Sequence, residues 1–232
     1  MLKNQKIKTA VVTGATGGLG KLLIQNLQEI GIKCICIDKV GNPGQDFYLC
    51  DMTNQSELEN TINKIVSSTK SIDFLFNLSG IGIYKNIEEL GINEWNDSIA
   101  INLTAPFILS KGLLPLLEKS EKPIVVNFGS GMGVSPTGGR IAYCSSKFGL
   151  RGLSLSLSQE FANKKTKFIH LTLGSIMTNF GTGGMELRKK LASEGKNYLD
   201  PNEVIRKVID ITKSENPKPE YVIYPKGYIS AN

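Results

Sequence analysis

The chain contains one histidine, His170, and one tryptophan, Trp95, in 232 residues. One histidine beside four scattered cysteines does not supply a zinc ligand set, so no metal is expected. Cys34, Cys36, Cys50 and Cys144 are also too few to staple a chain of this length. Cys34 and Cys36 lie two apart in an apolar run, which puts them on one strand face rather than in a CxxC turn. Four reduced thiols in a cytoplasmic protein are therefore expected. No apolar run approaches the roughly 20 residues of a membrane span, and residues 1–6 lack the apolar stretch of a signal peptide. The net charge of +6 suits anionic ligands, but Lys164-Lys165 and Lys189-Lys190 are the nearest approach to a basic cluster. Nucleic-acid recognition wants a basic stripe with interleaved aromatics. Neither nucleic acid nor a membrane is expected as a partner.

What the chain does have is alternation. Short β-branched runs at residues 9–13, 32–37, 46–49, 73–76, 124–128, 167–173 and 221–224 predict seven strands. Between them, Leu22, Leu23, Leu27 and Ile30 recur at helical spacing until Gly31, and Asn54 stands as a cap before Leu58, Ile62 and Ile65. Residues 95–117 and 141–162 read as long helices, the first carrying Pro106 and Pro115, and residues 202–213 as another. Strands joined by helical crossovers call for a parallel sheet covered on both faces. With no linker, repeat or low-complexity tract, residues 1–232 are expected to form a single α/β domain, doubly wound, with seven parallel strands. Residues 129–140 and 179–184, rich in glycine, read as mobile loops.

The first strand runs into Thr13-Gly14-Ala15-Thr16-Gly17-Gly18-Leu19-Gly20, and a helix follows at once. Glycines there let the backbone turn sharply and approach a pyrophosphate, while the helix start aims N–H groups at the charge. Such loops also occur as plain connectors, but the strand before and helix after are the context a dinucleotide requires. Asp38 ends the second strand, 18 residues after Gly20. A carboxylate there accepts both adenosine-ribose hydroxyls and repels a 2′-phosphate, favouring NAD over NADP. The alternative is a turn aspartate, and Lys39 beside it weakens the preference.

Together with later segments, this loop resembles the classical short-chain dehydrogenase/reductase family. Thr13, Gly14, Gly18 and Gly20 match its TGxxxGxG pattern, with Thr16 and Leu19 inside it. Asp51-Met52 is similar to its adenine-contacting pair, and Asn77-Leu78-Ser79-Gly80 stands where it has NNAG. Asn102 matches its helical asparagine, and Ser130, Tyr143 and Lys147 keep its S–x12–Y–x3–K spacing. Gly174, Ile176 and Thr178 fall in its nicotinamide-contacting segment. Leu173 departs from the usual proline, and the carboxyl end from residue 221 lacks the family's glycine-rich closing motif. The resemblance covers residues 8–224. It implies a Rossmann-type fold, a catalytic set of Asn102, Ser130, Tyr143 and Lys147, a cofactor held by the residues just named with Asp38, and a homodimer or homotetramer.

The chemistry also stands on the residues. Tyr143 and Lys147, four apart, share a helix face, although such pairs taken alone are usually surface pairs. A phenol titrates near ~10, and a nearby ammonium is expected to bring it down toward a working base. Ser130, otherwise an ordinary loop serine, can donate to or accept from the reacting oxygen. The expected function is NAD(H)-dependent hydride transfer on a small alcohol or carbonyl. The alternatives are a 3-oxoacyl carrier-protein reductase, which the resemblance ties to NADPH and Asp38 disfavours, and an NAD-sensing protein without turnover, a type that usually loses the Tyr or Lys. Three further expectations are local. His170 and Trp95 are structural, residues 179–199 form a substrate lid, and the helix opens near Asn102 because Pro106 has no N–H to close the turn.

Overall fold

The computed structural model of the protein describes residues 7–227, so the amino-terminal six residues and the last five of the carboxyl end lie outside it. Seven strands form one parallel sheet: β1 (Thr9–Thr13), β2 (Lys33–Asp38), β3 (Phe47–Leu49), β4 (Phe74–Asn77), β5 (Ile124–Phe128), β6 (Lys167–Leu173) and β7 (Glu220–Ile223). Their order is β3-β2-β1-β4-β5-β6-β7. The chain winds outward from β1 in one direction and returns through β4 in the other. That reversal opens a crevice at the carboxyl ends of β1 and β4, where such sheets bind ligands.

Alternation along the strands divides the core. Ala10, Val12, Phe76, Val126, Ile169 and Leu171 face α1 (Gly18–Glu29) and α7 (Pro201–Lys213) through Leu23, Leu27, Val204 and Val208. Val11, Ile35, Leu75 and Val125 face the other way, onto α2 (Gln55–Ser68) and α4 (Ala105–Leu117) through Leu58, Ile62, Leu109 and Leu113. Strands buried on both faces are apolar at nearly every position, which is why they read as continuous runs rather than alternating ones.

The helical stretch Ile92–Leu117 corrects one expectation, because it is long and apolar enough to cross a membrane by length and composition. Its apolarity has a use within the fold. Ala105, Leu109, Leu113, Leu116 and Leu117 are at most 1% exposed against the sheet and α2. The stretch is also not one regular helix. α3 (Ile92–Ile99) passes into α4 through a π-helical turn at Ala100–Thr104, in which the Ala105 N–H donates to the Ala100 carbonyl five residues back. Pro106 removes the next α-type donor, and a widened turn is the local remedy. The expected opening near Asn102 is thus present.

The remaining helices are α5 (Ile141–Glu160) and α6 (Gly184–Ser193). Residues 177–198, which include α6, leave the sheet as a closed excursion. Its base is pinned by the bridge between Ile176 and Leu199, with Leu199 N–H to the Ser175 carbonyl at 2.8 Å and Met177 N–H to the Leu199 carbonyl at 3.0 Å. Gly181, Gly183 and Gly184 all adopt positive φ there.

Candidate active site

The glycine loop closes on itself at the mouth of the crevice. Gly14, at φ +69°, donates to the Ile37 carbonyl, and its own carbonyl accepts from Gly17. A Cβ on Gly20 would overlap the Gly14 carbonyl oxygen, so only glycine lets α1 start this close to the loop. α1 follows Gly17 and has no side-chain cap. Its first N–H groups, from Gly18 and Leu19, are free to serve an anion in the crevice they line.

Asp38 sits on the rim and ties the loop to β2. Its Oδ2 accepts from the Thr16 N–H and hydroxyl, both at 2.8 Å, and Oδ1 accepts from the Lys39 N–H. The Lys39 ammonium does not pair with Asp38. It reaches Asp51 at 2.6 Å and holds that carboxyl well below the usual range, at about 2, with help from the Thr53 N–H and hydroxyl. The rim thus keeps one carboxylate without a salt bridge, Asp38, and one neutralised, Asp51.

Further in, Ser130 and Tyr143 line the crevice beside each other, and the Ser130 hydroxyl accepts from the Met132 N–H at 3.2 Å. Tyr143 is only 6% exposed, covered by Tyr84 edge-on at 5.7 Å and by Phe180 at 5.9 Å. Lys147 lies one turn along α5 and donates to the Phe128 carbonyl at 2.8 Å, its ammonium 5.8 Å from the Tyr143 ring centre. The expected depression of the Tyr143 pKa by Lys147 is not what this structure shows. Burial pushes the phenol up, Tyr84 adds to the rise, and the Ser130 hydrogen bond opposes it without winning. Lys147 is itself pulled from 10.5 to about 8 by burial. Desolvation dominates because both side chains are buried, Tyr143 under the Tyr84 and Phe180 rings.

Behind this pair a polar row crosses the sheet at one register. Asn77 of β4 stands beside Asn127 of β5, Asn127 beside His170 of β6, and His170 beside Glu220 of β7. Asn77 donates to Asn127 at 2.7 Å, Asn127 to the Ser154 hydroxyl at 3.0 Å, and that hydroxyl meets His170 Nδ1 at 3.2 Å. At the edge, Glu220 accepts from Thr172 and from both arms of Arg151. His170, which is fully buried, places its Nε2 under Gly129. A Cβ on Gly129 would overlap that ring and stand 2.7 Å from the Leu171 carbonyl. Gly129→Ala is therefore expected to displace the adjacent Ser130 and cost about 1–3 kcal/mol of stability, as overpacking does. His170→Ala in the same chain should recover part of that loss, measured by denaturant unfolding. The recovery is partial because the Leu171 carbonyl remains. Equal stabilities for the single and double variants would refute the ring as the obstacle.

The residues singled out from sequence fall into two groups. Gly14, Thr16, Gly18, Leu19, Asp38, Asp51, Met52, Ser79, Gly80, Ser130, Tyr143, Lys147, Gly174, Ile176 and Thr178 line the crevice. Thr13, Gly20, Asn77 and the Asn102 side chain lie behind it. Thr13 Oγ1 accepts from the Leu78 and Ser79 N–H groups, fixing the turn after β4. The Asn102 side chain exchanges hydrogen bonds with both backbone groups of Ile81 and donates to the Ser98 and Ser146 hydroxyls. The residues that sequence reasoning passed over are Tyr84, Phe180, Arg140 and Arg188. Phe180 and Arg188 fall inside the expected lid, residues 179–199, while nothing in the sequence singled out Tyr84 or Arg140.

The sheet order and the crevice at its switch point define a Rossmann-type α/β protein. Residues 8–186 match the model of the short chain dehydrogenase family, and the chain belongs to that family of oxidoreductases. It is 31% identical over 168 residues to the 3-oxoacyl-(acyl-carrier-protein) reductase of Escherichia coli, covering 68% of each chain. Among solved structures it is similar to a 4-hydroxyisoleucine dehydrogenase complexed with NADH, at 24% identity and TM-score 0.84, over 94% of this chain and 97% of that one. It is also similar to an alcohol dehydrogenase from Thermococcus sibiricus complexed with 5-hydroxy-NADP, at 20% identity and TM-score 0.79, over 98% and 100%.

Proposed function

We propose that the protein is an NAD(H)-dependent oxidoreductase that interconverts a small carbonyl compound and its alcohol, the whole chain forming one dinucleotide-binding domain. The observation that carries this reading is the meeting of the Ser130 and Tyr143 hydroxyls in the inner crevice, with Lys147 one turn away. The crevice fits a dinucleotide. Gly14 already packs so closely that a Cβ would stand 3.0 Å from the Ser79 nitrogen, and the uncapped start of α1 offers N–H donors to a pyrophosphate. Asp38 stands where the adenosine ribose would lie.

A bound nicotinamide supplies the hydride. The chain's own groups manage the oxygen and its proton. Ser130 donates to the substrate carbonyl, and Tyr143, held protonated by its burial, gives up the phenolic proton as the oxygen gains charge. Leu173, in place of the family's proline, still leaves Gly174 donating to the Ile223 carbonyl at 2.8 Å, so the segment's hydrogen bond to β7 is kept. Residues 179–199 act as the lid, with positive-φ glycines at 181, 183 and 184 as its hinge. A homodimer or homotetramer remains the expected assembly.

Of the two solved neighbours, one carries NADH and the other an NADP analogue, so the choice falls to Asp38. A 2′-phosphate would face its carboxylate with Lys39 already committed to Asp51. NAD⁺ should bind at least about tenfold more tightly than NADP⁺, a difference of about 1.4 kcal/mol, and Asp38→Ala should erase the preference. Dissociation constants for both cofactors in both proteins test this. Equal affinities in the wild type would overturn it. The oxidoreductase reading itself is tested by following NADH consumption over ketones, aldehydes, keto-sugars and acyl thioesters. Turnover of none of them, with tight NADH binding, would favour a sensor.

A further inference from the structure

Two arginines from separate segments lie near Tyr143, Arg188 in the crevice lining and Arg140 over the Tyr84 ring that covers the phenol. Arg140 is the residue preceding α5, three before Tyr143, and its guanidinium lies 4.4 Å from the centre of the Tyr84 ring that packs edge-on against Tyr143. Its one hydrogen bond is from Nη1 to the Met132 sulfur at 3.5 Å. Arg188 projects from α6 into the crevice lining. It donates to the carbonyls of Thr178 and Phe180 on the segment below. Both side chains are half-buried, and neither meets a carboxylate among the described residues. Both flank the Tyr84 ring, Arg140 directly over it and Arg188 through the Phe180-Gly181 backbone that the ring packs against.

The contrast within the molecule is informative. Arg151 and Lys39 are each paired with a carboxylate, as charged groups near a protein surface commonly are. A half-buried guanidinium with only neutral partners keeps its charge uncompensated and some of its five donors available. Arg140 lies at the Tyr143 end, over the Tyr84 ring, while Arg188 lines the crevice from the Thr178 side, whose methyl group faces Gly18 of the glycine loop.

We propose that the substrate is an oxo or hydroxy acid whose carboxylate is held by Arg140 and Arg188 while its reacting oxygen meets Ser130 and Tyr143. The proposal rests on the oxidoreductase reading and adds the substrate class. In the reducing direction, the carbonyl carbon accepts hydride from the reduced dinucleotide and its oxygen accepts the Tyr143 proton. The products are the hydroxy acid and the oxidised dinucleotide, and the tyrosine is reprotonated from solvent. Because Arg188 belongs to the segment 177–198 and Arg140 to the fixed end of α5, one carboxylate bridging them would also draw that segment onto the site.

The experiment compares acids with their methyl esters, which keep the carbonyl and remove the charge. Acetoacetate with methyl acetoacetate, and pyruvate with methyl pyruvate, are assayed by NADH oxidation. At least one acid should be preferred over its ester by tenfold or more in kcat/KM, with the difference chiefly in KM. Arg140→Gln should reduce that preference to near unity while leaving ester turnover in place. Arg188→Lys, which keeps a charge but loses the fork, is the second variant and should raise KM for the acid. Esters reduced as well as the acids would overturn the proposal and leave the oxidoreductase reading standing. If no compound in either set is reduced, calorimetric titration of the NADH-loaded protein with acetoacetate and with inorganic phosphate decides. Carboxylate binding weakened tenfold by Arg140→Gln supports the anion site although turnover has failed. Absence of binding, or binding of phosphate alone, refutes the carboxylate assignment.

Discussion

Tyr143→Phe is expected to lower turnover by a factor of ~10²–10⁴, the usual range for removing a positioned acid or base, while NADH affinity changes little. The ring would keep its contacts with Tyr84 and Phe180, so packing is preserved and only the transferable proton is lost. Burial holds the phenol protonated at neutral pH, the form that proton donation in reduction would use. Oxidation of the alcohol requires the phenolate. Its rate should therefore climb as pH rises, while the rate of reduction does not. Steady-state rates in both directions between pH 6 and 9, with NADH binding followed by fluorescence, check both statements. Retention of most of the activity in Tyr143→Phe, on a substrate the wild type turns over, would eliminate Tyr143 as the proton donor.

The second large effect concerns stability. Burial pulls the pKa of His170 from 6.5 to about 4, with Lys147 and Arg151 contributing and Glu220 opposing. The folded chain thus holds a neutral imidazole at a pH where the unfolded chain already takes up a proton. The stability this provides is fully present above pH 6.5 and is lost as pH falls through the window down to about 4. The gap corresponds to about 3 kcal/mol at its limit. His170→Gln removes the titration, so the wild type should lose about 2–3 kcal/mol relative to the variant between pH 7 and pH 4.5. Because the chain has only this histidine, no other imidazole contributes to the difference. Urea unfolding of both proteins at the two pH values measures it, and parallel pH profiles would show that His170 is protonated equally in both states.

The family and the fold were legible because their signals are local or strictly spaced. The Gly14–Gly20 loop, the run of strands and helices, and the Ser130, Tyr143 and Lys147 spacing each record a constraint that the chain satisfies within a few turns. The opening of the helix before Pro106 belongs here too, since a missing N–H can be counted from sequence. His170 reads as structural from the lack of partners around it in sequence, and it is fully buried, but its partner Ser154, and Asn127 that donates to the same hydroxyl, come from other elements. Nothing in the spacing of Asn77, Asn127, His170 and Glu220 reveals one polar row, because strand register aligns them.

The direction of the Tyr143 shift shows the same division. The four-residue spacing to Lys147 puts both side chains on one helix face, and the sequence by itself determined that much, along with the sheet and the glycine loop. Tertiary structure decided the environment. It brought Tyr84 and Phe180 over the phenol, turned the Lys147 ammonium toward the Phe128 carbonyl, laid Arg140 over the Tyr84 ring and set Arg188 in the crevice lining. Helix periodicity and glycine geometry act between near neighbours and are written in the chain. Desolvation and charge depend on what every other segment places within a few ångströms, and only the folded molecule fixes that.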